Sequence, residues 1–186
     1  MTAADSDEVL IARYAGGDVA AFEQLYGRHE LRVWRYLQRN VRNHATADDL
    51  LQEVWFAVAR DAPRYSPSSR FSSWLFAIAH HRMIDFIRSH RQHTSLDTLL
   101  EGGALVSTLA ADPQSGPVAA ATSRDEAGAI LRALSSLPGE QREAFLLQAE
   151  GDLSVEEIAT ITTTSFETAK SRLRYARSKL DRKSVV

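Results

Sequence analysis

Apolar residues return at helical rather than strand spacing along most of this 186-residue chain. After Gly17-Asp18, the residues Phe22, Leu25, Tyr26, Val33 and Leu37 recur at such intervals, which predicts an amphipathic helix. Leu50, Leu51, Val54, Trp55 and Val58 repeat the pattern after Thr46, with Asp49 three residues on in capping-box register. Past the Pro63 to Pro67 breakers, a third helix is predicted from about Phe71 to Arg91, with Trp74, Ile78 and Phe86 as core. Periodicity then fails over residues 96–123, where half of 28 residues are Gly, Ala, Ser or Pro and none is Lys or Arg. So long a stretch without a period reads as a flexible linker between domains, or else as a partly ordered surface loop. Beyond it, Ile130, Leu131, Leu134 and Leu137 form one stripe, and Pro138 reopens a helix through about Glu150. Ser154 with Glu157 caps a short helix, and Ser165 with Thr168 starts a longer one. No segment alternates as a strand does. The predicted fold class is all-α: two small helical domains, 1–95 and 124–186, joined by the linker.

The last two helices have the dimensions of a helix-turn-helix. On the second, Phe166, Ala169, Leu173, Ala176 and Leu180 follow a 3, 4, 3, 4 spacing and define a buried face. The opposite face centres on Glu167, Ser171, Arg174 and Ser178, flanked by Thr168, Lys170 and Tyr175. A helix in a DNA major groove needs this arrangement, because short polar and Arg side chains reach base edges there. Arg172, Arg177, Lys179, Arg182 and Lys183 would then meet phosphates. The plainer alternative is a solvated basic helix on a small bundle. Glu167 either accepts from a cytosine amino group or stabilises the positive end of its own helix.

Composition at first argues against nucleic acid, since 22 basic and 24 acidic residues give a formal charge of −2. The total is a cancellation. Residues 60–93 carry +4, residues 124–167 carry −6, and residues 168–186 carry +6. Acidic and basic segments set side by side suggest faces with different partners. The absence of cysteine excludes disulfides, thiolate nucleophiles and sulfur-ligated zinc. The longest apolar run, Trp74 to Ala79, is six residues, and the acidic N-terminus does not resemble a signal peptide, so a cytoplasmic chain without membrane insertion is expected.

Two features of the first domain carry candidate chemistry. Asp49, Gln52 and Glu53, beside Asp48, line the side of the second helix opposite its apolar residues. That is either a solvated face or a dock for a basic helix. Residues 60–93 hold six Arg and four His, interleaved with Tyr65, Phe71, Trp74, Phe76 and Phe86. Single-stranded nucleic acid is held by this combination. The loop from Arg64 to Ser69 is the best candidate for gripping a base. The histidines lack metal-ligand company, and no phosphate loop, nucleophile elbow or acid–base set is present, so no metal, cofactor or enzymatic activity is expected.

Two blocks of motifs now resemble a known family. Gly17-Asp18…Ala21-Phe22-Glu23, then Ala47-Asp48-Asp49-Leu50-Leu51-Gln52-Glu53-Val54-Trp55, then Phe71…Trp74-Leu75…Asp85…Arg88 look like domain 2 of an extracytoplasmic-function (ECF) sigma factor. Leu137-Pro138…Arg142, Glu150-Gly151…Ser154…Glu157-Ile158-Ala159 and Thr168-Ala169-Lys170-Ser171-Arg172-Leu173 resemble domain 4. The resemblance implies a promoter-recognition subunit of bacterial RNA polymerase. By position, Asp48, Asp49, Gln52 and Glu53 would dock on the clamp coiled coil of the largest subunit. Arg64, Ser66, Ser68 and Arg70, with His80, His81, Asp85 and Arg88, would open the −10 element and capture a base. Glu167, Thr168, Lys170, Ser171, Arg172, Arg174, Tyr175 and Arg177 would read the −35 element, with domain 4 on the beta flap. The linker would thread the active-site cleft, and an anti-sigma factor is an expected regulator.

This sequence departs from the family pattern at three places. His81 stands where Asn is common, and Ala169 replaces a larger aliphatic. Thr163 stands where Gly often makes the turn, which predicts strain or a different turn geometry. The second reading is an autonomous helix-turn-helix regulator, which would need a dimer interface to present two half-sites; no heptad stripe supplies one. A single-strand-binding adaptor using residues 60–93 alone is the third.

Overall fold

The computed structural model describes residues 5–100, 128 and 130–181, with backbone alone over 91–100. It divides into two compact units, with the division at Leu109/Ala110. The described elements are α-helices and one 3-10 turn.

The first unit contains α1 (Asp7–Ala15), α2 (Val19–Val41), α3 (His44–Asp61), a 3-10 turn (Ala62–Arg64) and α4 (Phe71–Leu100). The apolar periodicity does not announce α1, which buries only Leu10 and Ile11. Its start is nonetheless local chemistry: Ser6 accepts from the Val9 amide, and Asp7 and Glu8 sit where the helix dipole favours anions. Gly17 takes a φ of 101° in the turn that follows, and Asp18 caps α2. At α3 the cap falls at Asn43, whose side chain accepts from Thr46 at 2.9 Å. The cap expected at Thr46 is therefore displaced by one turn, and Asp49 lies inside the helix.

Helix α2 packs against α1, α3 and α4. Leu25, Val33, Tyr36 and Leu37 are buried, as are Leu50, Val54 and Trp55 of α3 and Phe71, Leu75, Phe76 and Met83 of α4. Tyr36 sets its ring edge-on to Phe76, 5.5 Å between centroids. The stripe assigned to α4 is rotated from the one expected. Phe71, Leu75, Phe76, Ala79 and Met83 are buried, whereas Trp74, Ile78 and Phe86 are only half-buried. Helix α4 also continues to Leu100, past the expected end at Arg91 and into the segment read as linker; the rest of that segment, 101–123, lies outside the described residues.

The second unit contains α5 (helical over 130–135), α6 (Gly139–Gly151), α7 (Val155–Ile161) and α8 (Phe166–Asp181). Ala133, Leu134 and Leu137 pack with Ala176 and Leu180 of α8. Ile130 and Leu131, read from the pattern as part of the same stripe, are 45% exposed. Ser154 and Glu157 form the expected capping box, with the Glu157 amide donating to Ser154 Oγ at 3.2 Å and the Ser154 amide to Glu157 Oε2 at 2.7 Å. Helix α8 starts where Ser165 Oγ accepts from the Thr168 amide at 3.1 Å.

Between α7 and α8 the chain turns at Thr163, with φ of 52°. The expected strain is present: a β-branched residue occupies the left-handed region that favours glycine. The turn is held around it. The Thr164 amide donates to the Ala159 carbonyl at 2.9 Å, and Thr162 Oγ1 donates to the Ile158 carbonyl at 2.8 Å.

Candidate nucleic-acid interface

Helix α8 sorts its side chains by face. Ala169, Leu173, Ala176 and Leu180 are buried, while Glu167, Lys170, Ser171, Arg174, Tyr175 and Arg177 are exposed. Phe166, expected on the buried face, is 40% exposed, and Lys170 Nζ lies 5.6 Å from its ring centroid. Thr168 is half-buried, with its Oγ1 2.8 Å from Ser165 Oγ. Ala169 is fully buried against the unit's core.

The cations divide into two sets. Arg172 donates to Glu140 Oε2 of α6 at 2.5 Å, and its side chain is 16% exposed. Arg177 donates to Gln148 Oε1 of α6 at 2.6 Å. These two tie α8 to α6 and orient it. Lys170 and Arg174 extend from the exposed side, with Ser171 and Tyr175 each following one of them in sequence. Arg182 and Lys183 lie outside the described residues.

In the first unit, residues 65–70 form a loop with its polar groups outward. Ser66, Ser68 and Arg70 are exposed, and the Arg64 side chain is 86% exposed, 3.9 Å from Asp61. The Arg60 guanidinium holds the Asp61 carboxyl below its ordinary pKa. Ser66 Oγ and Ser68 Oγ are 3.0 Å apart, and the Tyr65 hydroxyl closes the loop by donating to the Ser69 carbonyl at 2.6 Å. The Tyr65 ring packs on Trp74 and Phe71, at 5.1 and 6.2 Å between centroids. Along α4, His81, Asp85 and Arg88 are exposed at spacings of four and three, hence on one face, and half-buried His80 sets its ring edge-on to His81, 5.4 Å between centroids.

On α3, Asp49, Gln52 and Glu53 are exposed. Asp48 is not their equivalent. Its carboxylate accepts from Trp34 Nε1 at 2.7 Å and lies 3.2 Å from His44 Nδ1, bracing the α2–α3 corner. One surface residue escaped the sequence reading: Phe56 is 74% exposed, next to an apolar cleft formed with Phe22, Tyr26, Leu51 and Trp55. Its signal was a large apolar residue directly following the buried Trp55, outside the helical stripe. Among the described residues, no group of three or more His, Asp or Glu is placed to hold a metal, and no helix is long and apolar enough to cross a membrane.

Comparison with known proteins assigns the two units. The Sigma-70 region 2 family matches residues 25–93, and the Sigma-70, region 4 family matches residues 127–180. The RNA polymerase sigma factor CarQ of Myxococcus xanthus is 34% identical over 168 residues, covering 90% of this chain and 91% of the relative. The ECF RNA polymerase sigma factor SigM of Mycobacterium tuberculosis is 32% identical over 178 residues, covering 95% and 84%. Two solved structures share the fold. CnrH in complex with the cytosolic domain of CnrY has a TM-score of 0.65 at 24% identity, over 95% of this chain and 96% of that one. The sigma factor RpoE with the anti-sigma factor NepR from Bartonella quintana has a TM-score of 0.64 at 22% identity, over 89% and 97%. An all-helical chain with regions 2 and 4 in this order defines the class as a sigma factor of the sigma-70 type. The chain belongs to the ECF family of these factors.

Proposed function

We propose that this chain brings core RNA polymerase to a two-part promoter and nucleates melting there, acting in the cytoplasm and contributing no catalytic residue of its own. The observation that carries the reading is the exposed polar face of α8, centred on Ser171 and Arg174, in the unit matched by the region 4 family. That face reads the −35 element in the major groove. The loop 64–70, with His81, Asp85 and Arg88 of α4, takes unstacked bases of the −10 element. Its binding energy is realised only once the strands have separated, so capture drives opening. Asp49, Gln52 and Glu53 dock on the clamp coiled coil of the polymerase's largest subunit, and Phe56 with its cleft extends that surface by an apolar contact. Domain 4 sits on the beta flap. An anti-sigma factor that covers these faces would silence the chain, in keeping with the complex of RpoE with the anti-sigma factor NepR.

Transcription tests this reading directly. Core polymerase reconstituted with the full chain and given fragmented genomic DNA should start transcripts downstream of a shared two-part motif. The absence of any chain-dependent start site would overturn it. Within that assay, Gln52→Ala with Glu53→Ala should weaken core binding at an unchanged melting temperature, and unchanged affinity would return the stripe to a solvated face.

A further inference from the structure

Helix α1 reaches the loop that the proposed function assigns to base capture. Glu8 Oε1 accepts from the Phe71 backbone N–H at 3.0 Å, across 63 residues of sequence. Phe71 is the first residue of α4, so its amide is one of the donors that a helix leaves unpaired at its start. The carboxylate therefore supplies, from another element, the cap that α4 needs.

The position of α1 is itself fixed. Asp7 accepts from Arg28 Nη1 at 2.8 Å with one oxygen, and its other oxygen lies 2.6 Å from Nε2 of the buried His29. His29 in turn packs against the Phe71 ring, 5.4 Å between centroids. Phe71 is fully buried, and Tyr65 and Trp74 pack around it. The loop 65–70 is thus held at three places: the 3-10 turn that touches α1, the Tyr65 hydroxyl on Ser69, and the start of α4 under Glu8.

We propose that Glu8 is a positioning residue for single-strand capture: by capping α4 at Phe71 it fixes the frame from which Arg64, Ser66, Ser68 and Arg70 project. The inference rests on the base-capture reading of this loop. Two consequences separate it from a merely structural cap. Removing the carboxylate should loosen the loop while leaving the α3 docking stripe intact. An amide in its place should preserve the geometry, because the Gln oxygen still accepts from Phe71.

The test uses holoenzyme formed from the full chain and a fork-junction DNA with a single-stranded tail. The tail sequence is the one that wild-type holoenzyme enriches from a randomised pool. Glu8→Ala should bind this tail about fivefold more weakly, the factor that corresponds to losing a helix cap of ordinary strength. Its affinities for a scrambled tail and for core polymerase should match wild type, and Glu8→Gln should restore selectivity. Glu8→Asp, which keeps the charge but is one methylene too short, serves where Glu8→Ala does not fold, and should lose selectivity in part. Wild-type selectivity in Glu8→Ala or Glu8→Asp overturns the inference, as does a parallel loss of core and tail affinity. If wild-type holoenzyme enriches no tail at all, the base-capture reading falls with it; if it does and the variants keep selectivity, only the role of Glu8 falls.

Discussion

Thr163 is the one β-branched residue among three non-glycine residues, with Arg42 and Asp152, that take a positive φ among the described residues. Its φ of 52° places a branched Cβ where steric cost is about 1–2 kcal/mol. Glycine removes that cost but adds up to about 1 kcal/mol of unfolded-state entropy. Thr163→Gly should therefore stabilise the second unit by roughly 0.5–1 kcal/mol, visible as a melting temperature a few degrees higher. A lower one would show that the threonine contributes contacts that outweigh its backbone. A pH effect belongs to the same scale. Burial pushes the Asp7 carboxyl upward, but hydrogen bonds from Arg28 and His29 outweigh it and hold the group below its ordinary pKa. The Phe71 amide does the same for Glu8. A depressed carboxylate pKa adds stability above its unfolded value and loses it as pH falls through the folded one. Acid should thus destabilise the first unit as pH drops below about 4, and Asp7→Asn should flatten that dependence in urea titrations at successive pH values.

Helices α2, α3, α6, α7 and α8 were legible from apolar spacing, and α7 and α8 from their caps as well, because their faces are set by residues three and four apart. The exceptions have physical reasons. Helix α1 buries two residues only, too few to produce a stripe. The core face of α4 turned out to be Phe71, Leu75, Phe76, Ala79 and Met83, because half-buried Trp74 is recruited by Tyr65 at the loop. Periodicity finds a face but not what covers it, so the exposure of Ile130 and Phe166, which lie on their stripes, was invisible, whereas Phe56 lies off its stripe. Helix α8 shows the same limit. The spacing put Arg174 at base edges and Arg172 and Arg177 on phosphates, but it did not show that Arg172 and Arg177 also bond to Glu140 and Gln148. Their substitutions should differ accordingly. Arg174→Ala should relax discrimination at one −35 base pair by about 1–3 kcal/mol with no change in melting temperature. Arg172→Ala should lower the melting temperature and weaken all duplexes alike. Equal behaviour of the two in a competition binding assay would show that the α6 contact gives way on DNA.

At the scale of the whole molecule, the net charge of −2 conceals a +6 segment behind a −6 one. The exposed cations of α8 are few, Lys170, Arg174, Arg177 and Lys179, and Glu167 and Asp181 at its ends oppose them. Each neutralised phosphate contributes about −0.9 to the slope of log affinity against log salt, so α8 alone supports a slope no steeper than about −4. That is too little for α8 alone to bind stably at physiological ionic strength, and under the proposed function the remaining affinity comes from core polymerase. Fluorescence anisotropy of the full chain on duplex carrying the −35 element should show weak binding that disappears with added salt. Holoenzyme should bind the same duplex tightly. Tight, salt-resistant binding by the chain alone, with dimers in sedimentation, would instead mark an autonomous regulator, and near-neutrality would then have no role in keeping the subunit dependent on polymerase.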